Sequence, residues 1–67
     1  MRYVVECWDR HSTAHHEQPA RTLAEAREIA QLHCSETYRA ASVRSAKDGR
    51  LLMHYWRDAE GLQYIEY

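Results

Sequence analysis

The chain has 67 residues, with ten acidic and nine basic side chains, a formal net charge of −1, and a 45% hydrophobic fraction. These numbers describe one globular domain over residues 1–67, too small for separate cofactor and substrate domains. They also weigh against a membrane span (roughly 18 apolar residues), a disulfide scaffold built on two cysteines, and a general nucleic-acid binder, whose footprint is strongly basic.

Residues 2–9 carry Tyr3, Val4, Val5 and Trp8, the β-branched and aromatic types that suit a strand. Glu6 interrupts this run at once, so no signal peptide is expected, and the free thiols of Cys7 and Cys34 fit a cytoplasmic setting. Residues 10–21 turn polar and end near Pro19; they read as a loop with room for a short edge strand, where proline is tolerated.

The strongest local signal follows. Thr22-Leu23-Ala24-Glu25 has the form of a capping box, in which the threonine hydroxyl accepts the Glu25 amide. Good helix formers continue to about Glu36. At about 100° per residue, Leu23, Ala26, Ile29, Ala30, His33 and Cys34 share one face, Glu25, Glu28, Gln31 and Ser35 the other, and Arg27 the boundary.

Residues 38–46 read as the next strand, and Lys47-Asp48-Gly49 as a hairpin turn of type I′. Residues 50–57 form another strand, 58–61 turn again, and 62–67 form the last. The expected fold is α+β: one helix packed on a four- to five-stranded antiparallel sheet, in the order β-(β)-α-β-β-β.

One helix shields one face of such a sheet. Successive strand residues point to opposite faces, so Leu51, Met53 and Tyr55 compete with Leu52, His54 and Trp56 for the covered side. Tyr3, Val5 and Cys7 likewise compete with Val4 and Trp8, and Leu62 and Tyr64 with Ile65 and Tyr67. Two tryptophans, five tyrosines and no phenylalanine supply rings that can sit half wet. A second, partly exposed aromatic surface is therefore expected, flanked by Arg39, Arg44 and Arg57; apart from Lys47, every basic side chain is arginine, the type suited to bidentate and stacked contacts.

Five histidines and two cysteines raise a metal site, but their spacing is poor for convergence. His15 and His16 are adjacent in an extended segment, His33 and Cys34 are adjacent on the helix, and only His11 and His15 have the outer spacing of a ligand pair, in a segment read as loop. A thiol nucleophile would pair Cys34 or Cys7 with His33 or His54, yet both cysteines fall on expected buried faces. No Gly-rich phosphate loop is present. The reading is no enzyme, no cofactor and no metal. A single-strand stacking platform is the nearest nucleic-acid alternative, and Glu6, Asp9, Asp48, Asp58, Glu60 and Glu66 oppose it.

Tyr3-Val4-Val5, the helix with Ala26-Arg27-Glu28-Ile29-Ala30, Val43-Arg44, Asp48-Gly49, Trp56-Arg57-Asp58, Gly61 and Tyr64-Ile65-Glu66 together resemble a family of small phage-encoded anti-CRISPR proteins. Within that family the resemblance is to inhibitors of type I-F systems. The resemblance runs along nearly the whole chain, in pattern more than identity. It implies a helix on an antiparallel sheet and a non-catalytic inhibitor in the host cytoplasm. That inhibitor binds the backbone subunits of an RNA-guided CRISPR–Cas effector complex and obstructs target DNA hybridisation. Basic helix positions contribute in the family; Arg27 falls on one, while Glu28 and Leu32 occupy neighbouring basic positions, and Arg57 keeps a basic residue after an aromatic.

The expected partner contacts are Arg27, Arg44, Trp56, Arg57 and Tyr64, aromatics as anchors and arginines as polar clamps. The competing functions are a nucleic-acid-associated regulator and an accessory protein that forms a homodimer through its sheet.

Overall fold

A computed structural model describes residues 2–8, 15–36 and 40–67. Five strands and one helix follow in chain order: β1 Tyr3–Trp8, β2 His15–Ala20, α1 Leu23–Glu36, β3 Ala40–Ser45, β4 Leu51–Asp58 and β5 Gly61–Glu66. The strands pair antiparallel in the order β2-β1-β3-β4-β5, and α1 packs on one face, chiefly over β1 and β3. This is the expected α+β arrangement. The polar segment before the helix does supply an edge strand, and Pro19 sits on it, opposite Val4.

The start of α1 is set locally. The Glu25 N–H donates to the Thr22 hydroxyl at 3.1 Å, which satisfies one of the orphan amides of the first turn, and the Ala26 N–H makes the first regular helical bond to the Thr22 carbonyl at 3.0 Å. The helix is about 21 Å long. Ala26, Ala30 and Cys34, spaced four apart, are buried against Val5, Cys7, Ala41, Val43, Met53 and Tyr55. Small side chains on the helix allow a close approach, and the bulk comes from the sheet.

Leu23, expected on this buried face, is 40% exposed. The first turn of α1 overhangs an open groove of about 480 Å³, lined by Leu23 and Arg27 from the helix, Tyr3, Leu52 and Met53 from the sheet, and Tyr67 beyond it. The helical period is right there, but there is too little sheet beneath it.

The register decides which strand residues face α1. Tyr3, Val5 and Cys7 take the covered side and Val4, Glu6 and Trp8 the other. On β4, Met53 and Tyr55 are covered, whereas His54 and Trp56 are not. The strict alternation expected for residues 51–56 fails at one point: Val43 pairs with Met53 but Arg44 pairs with Leu51, so Leu52 is an extra residue at a bulge and packs against the core.

The turn after β3 also differs from the two-residue type I′ expectation. Residues 46–49 lie between Ser45 and Arg50; the Gly49 N–H closes on the Ser45 carbonyl at 2.8 Å, and the Ser45 N–H on the Arg50 carbonyl at 3.0 Å. Gly49 takes the left-handed conformation that returns the chain to the sheet, at φ 75°, where a Cβ would be strained. Asp48 helps: its carboxylate accepts the Arg50 N–H at 3.0 Å, and that bond holds its pKa below the ordinary value. The second hairpin is the tight one, with Asp58 paired to Gly61 across residues 59–60 and the Glu60 N–H donating to the Asp58 carboxylate at 2.8 Å.

Candidate functional site: the open face of the sheet

The register aligns three rows across the face that α1 leaves bare. One runs Val4, Arg44, Leu51; the next Glu6, Ser42, His54, Ile65; the third Trp8, Ala40, Trp56, Gln63. The middle of this surface is polar and internally paired. The Arg44 guanidinium donates through Nε to the Glu6 carboxylate and through Nη1 to the Gly49 carbonyl at 3.0 Å. The Ser42 hydroxyl and His54 Nδ1 are 2.8 Å apart. Ser42 is itself buried, although it lies on the uncovered side, because its neighbours close over it. His54 stacks on Trp56, with ring centroids 6.0 Å apart and planes at 23°. Ile65 is 46% exposed at the β5 end.

This arrangement is stiff. Arg44 is engaged through both Nε and Nη1, and no buried side-chain nitrogen or oxygen among the described residues lacks a partner. Rings therefore stand on a frame whose polar groups are already satisfied, a condition that lowers the ordering cost of binding.

The five residues expected to meet a partner fall in two places. Arg44 and Trp56 lie on the open face. Arg57 and Tyr64 lie on the helix side, opposite Leu62 and Tyr55 respectively, and Arg27 reaches the same region from α1. The expected flank of the open face is thus corrected: Arg57 is on the other side of the sheet, because it follows the covered Tyr55 by two residues. Arg39, the remaining flanking arginine, and His11 lie outside the described residues. Tyr64 is 54% exposed and stacks on Tyr55 with centroids 5.5 Å apart. Contact with the Tyr55 hydroxyl raises the Arg27 pKa above its usual value, with Glu66 and Tyr64 adding to the effect.

The other titratable and nucleophilic groups among the described residues are placed as follows. Cys7 and Cys34 are both buried free thiols in the core. Burial pushes Cys7 up to about 11, with Cys34 adding, and burial raises Cys34 as well, against the opposing pull of Arg57. A thiol so shifted is protonated at neutral pH and a poor nucleophile. Ser42 and His54 form a hydroxyl–imidazole pair, but the hydroxyl is buried and offers no substrate access. His33 Nε2 lies 3.2 Å from the Gln18 side-chain oxygen, and its ring is 5.8 Å from that of His16. Among the described residues no group of three or more His, Cys, Asp or Glu could hold a metal ion, and no helix is long and apolar enough to cross a membrane.

The polar pairs on the open face were missed by sequence reasoning. Glu6 and Arg44 are 38 positions apart, and only the pairing of β1 with β3 brings them into adjacent rows. What the fold and surface define is a one-helix, five-stranded α+β domain that presents an uncovered sheet face with a paired polar centre and an aromatic, apolar margin. No known protein family, curated protein or solved structure matches the chain.

Proposed function

We propose that this chain is a non-enzymatic inhibitor that docks a CRISPR–Cas effector complex through the open face of its sheet and blocks target DNA recognition in the host cytoplasm. The observation that carries the binding mode is the uncovered face itself: Val4, Trp8, Trp56 and Ile65 surround the Glu6–Arg44 and Ser42–His54 pairs. The choice of partner rests on the sequence resemblance set out above. A specific interface needs about 800 Å² per partner, roughly a sixth of the 4695 Å² that the described chain exposes. A single sheet face is of that order.

Trp56 is the anchor, held in place by its stack on His54, and Arg44 is a positioned charge in the polar centre. Glu6 and Glu17 stand on the same face, so a bare phosphate backbone meets acid there as well as base; a protein surface suits the mixture better.

The test is recovery of plaques by a CRISPR-targeted phage in cells expressing the protein, together with co-purification of the effector complex at physiological salt. Trp56→Ala is expected to abolish both, as a loss of about 2 kcal/mol or more in binding, while the purified variant keeps its circular dichroism. Absence of recovery across several system subtypes removes the effector assignment. Salt-sensitive capture of oligonucleotides instead would assign the face to nucleic acid.

A further inference from the structure

The two edges of the sheet are unlike. β2 carries Pro19, a residue that discourages a further strand, whereas each edge strand has one glutamate. β5 has neither proline nor lysine, pairs with β4 without a bulge, and ends the sheet. Of the five large apolar side chains exposed among the described residues, three gather there and two, Leu23 and Leu32, lie on α1: Tyr64 and Ile65 are on β5, and Tyr67, 71% exposed, directly follows it.

The backbone of β5 can be oriented from one bond. The Tyr67 N–H donates to the Leu52 carbonyl at 3.0 Å. Because strand residues alternate in the direction of their backbone groups, Gly61, Gln63 and Ile65 also turn theirs towards β4. Leu62, Tyr64 and Glu66 therefore direct N–H and C=O away from the sheet.

We infer that β5 pairs with β5 of a second copy of this chain, antiparallel about a two-fold axis that runs between the two Tyr64 residues. In this register Tyr64 faces its own counterpart, and Leu62 of each copy faces Glu66 of the other. All the outward groups then meet partners, giving about six hydrogen bonds, two for each facing pair. The side chains fit the same register. On the helix side, the Tyr55–Tyr64 stack continues into the Tyr64–Tyr55 stack of the other copy. Arg57 lies opposite Leu62 within one copy, so Glu66 of the other copy comes within two strand spacings of it, about 9–10 Å between backbones. An arginine and a glutamate side chain together span that gap, so the charges across the axis are of opposite sign. The contact is isologous and closes on itself, leaving the β2 strands, each with its Pro19, as the outer edges.

An edge-strand contact of this kind belongs to the small interface class, below about 1,200 Å² in total, so the dimer forms reversibly with concentration. The inference does not depend on the open-face reading. It assigns Tyr64 to self-association and places the two open faces side by side on one sheet.

Sedimentation equilibrium from micromolar to submillimolar concentration tests it. The mass is expected to rise from the 8.0 kDa monomer towards twice that value. In parallel, hydrogen exchange at the Leu62, Tyr64 and Glu66 amides slows with concentration while the β2 amides do not change. Tyr64→Pro removes one outward N–H and no bond to β4, and is expected to weaken the dimer about tenfold or more. Tyr64→Lys keeps the backbone and should weaken it through the side chain, with circular dichroism checking that both variants fold. Glu17→Lys, on the other edge, should leave the mass curve unchanged. A monomer at every concentration, a dimer indifferent to both Tyr64 variants, or protection that develops at β2 would each overturn the inference.

Discussion

On the helix side of the sheet, Val5, Cys7, Ala41, Val43, Met53 and Tyr55 are buried against Ala26, Ala30 and Cys34. One residue along the same strands, on the open side, stand Glu6, Ser42, Arg44 and His54, bonded in pairs. The contrast shows how a chain this small handles two faces with one helix. The covered face is dry and held by packing, whereas the uncovered one is polar in the middle and keeps its rings at the sides. A sheet face left in water without a partner would expose unpaired apolar area, a recognised liability. Here the polar pairs limit that area and leave the rings as specific anchors.

The sharpest way to break the comparison is on the covered side. Tyr55→Ala removes the largest fully buried side chain, and emptying such a site costs about 3–5 kcal/mol. A domain of this length has roughly 3–10 kcal/mol in total, so the variant is expected to lose most or all of its cooperative urea transition. A transition close to that of the parent would show that the helix side is not the core.

The buried thiols make the same face sensitive to alkali. Cys7 ionises at about 11 in the folded chain against 9.0 ordinarily. The folded state therefore holds its proton more tightly than the unfolded chain. The stabilisation is complete below pH 9.0 and is lost as pH rises towards 11. Denaturation midpoints measured across that range should fall for the parent and fall less for Cys7→Ala. Thiol labelling in native buffer at pH 8 should be slow and become fast on adding denaturant.

On the open side the expected effects are smaller. Ser42→Ala leaves His54 Nδ1 without its buried hydroxyl partner, at about 1 kcal/mol; the urea midpoint should shift without a change in slope. Glu6→Gln weakens the ion pair with Arg44, whose side chain is 39% exposed, and should cost under about 1 kcal/mol, less at high salt. If Glu6→Gln or Ser42→Ala proved as damaging as Tyr55→Ala, the distinction between a packed face and a solvated one would need revision.

Much of the fold was legible in local chemistry. The Thr22–Glu25 cap, the alanine-rich helix face and the turn glycines each act within a few residues, and the structure places them as expected, although the turn at Gly49 is longer than the type I′ turn that the Asp48-Gly49 pair predicts. The edge strand was legible as a possibility because Pro19 restricted where it could lie. What local pattern missed depends on neighbours distant in sequence. Leu52 reaches the core only because β3 and β4 slip by one residue between Val43 and Arg44. Leu23 has the right helical phase but hangs over a groove. The candidate contacts could be chosen by residue type, yet type could not separate Arg44 and Trp56 from Arg27, Arg57 and Tyr64.

By itself, the sequence determined that a capped helix and several short strands form one α+β layer pair, because caps, turns and periodicities are properties of neighbouring residues. Which alternate set of side chains went under the helix, which arginine met which acid, and which edge remained open were decided only on assembly. Strand order and register bring together residues as distant as Glu6 and Arg44, and the free energy of those contacts does not exist until both strands are in place.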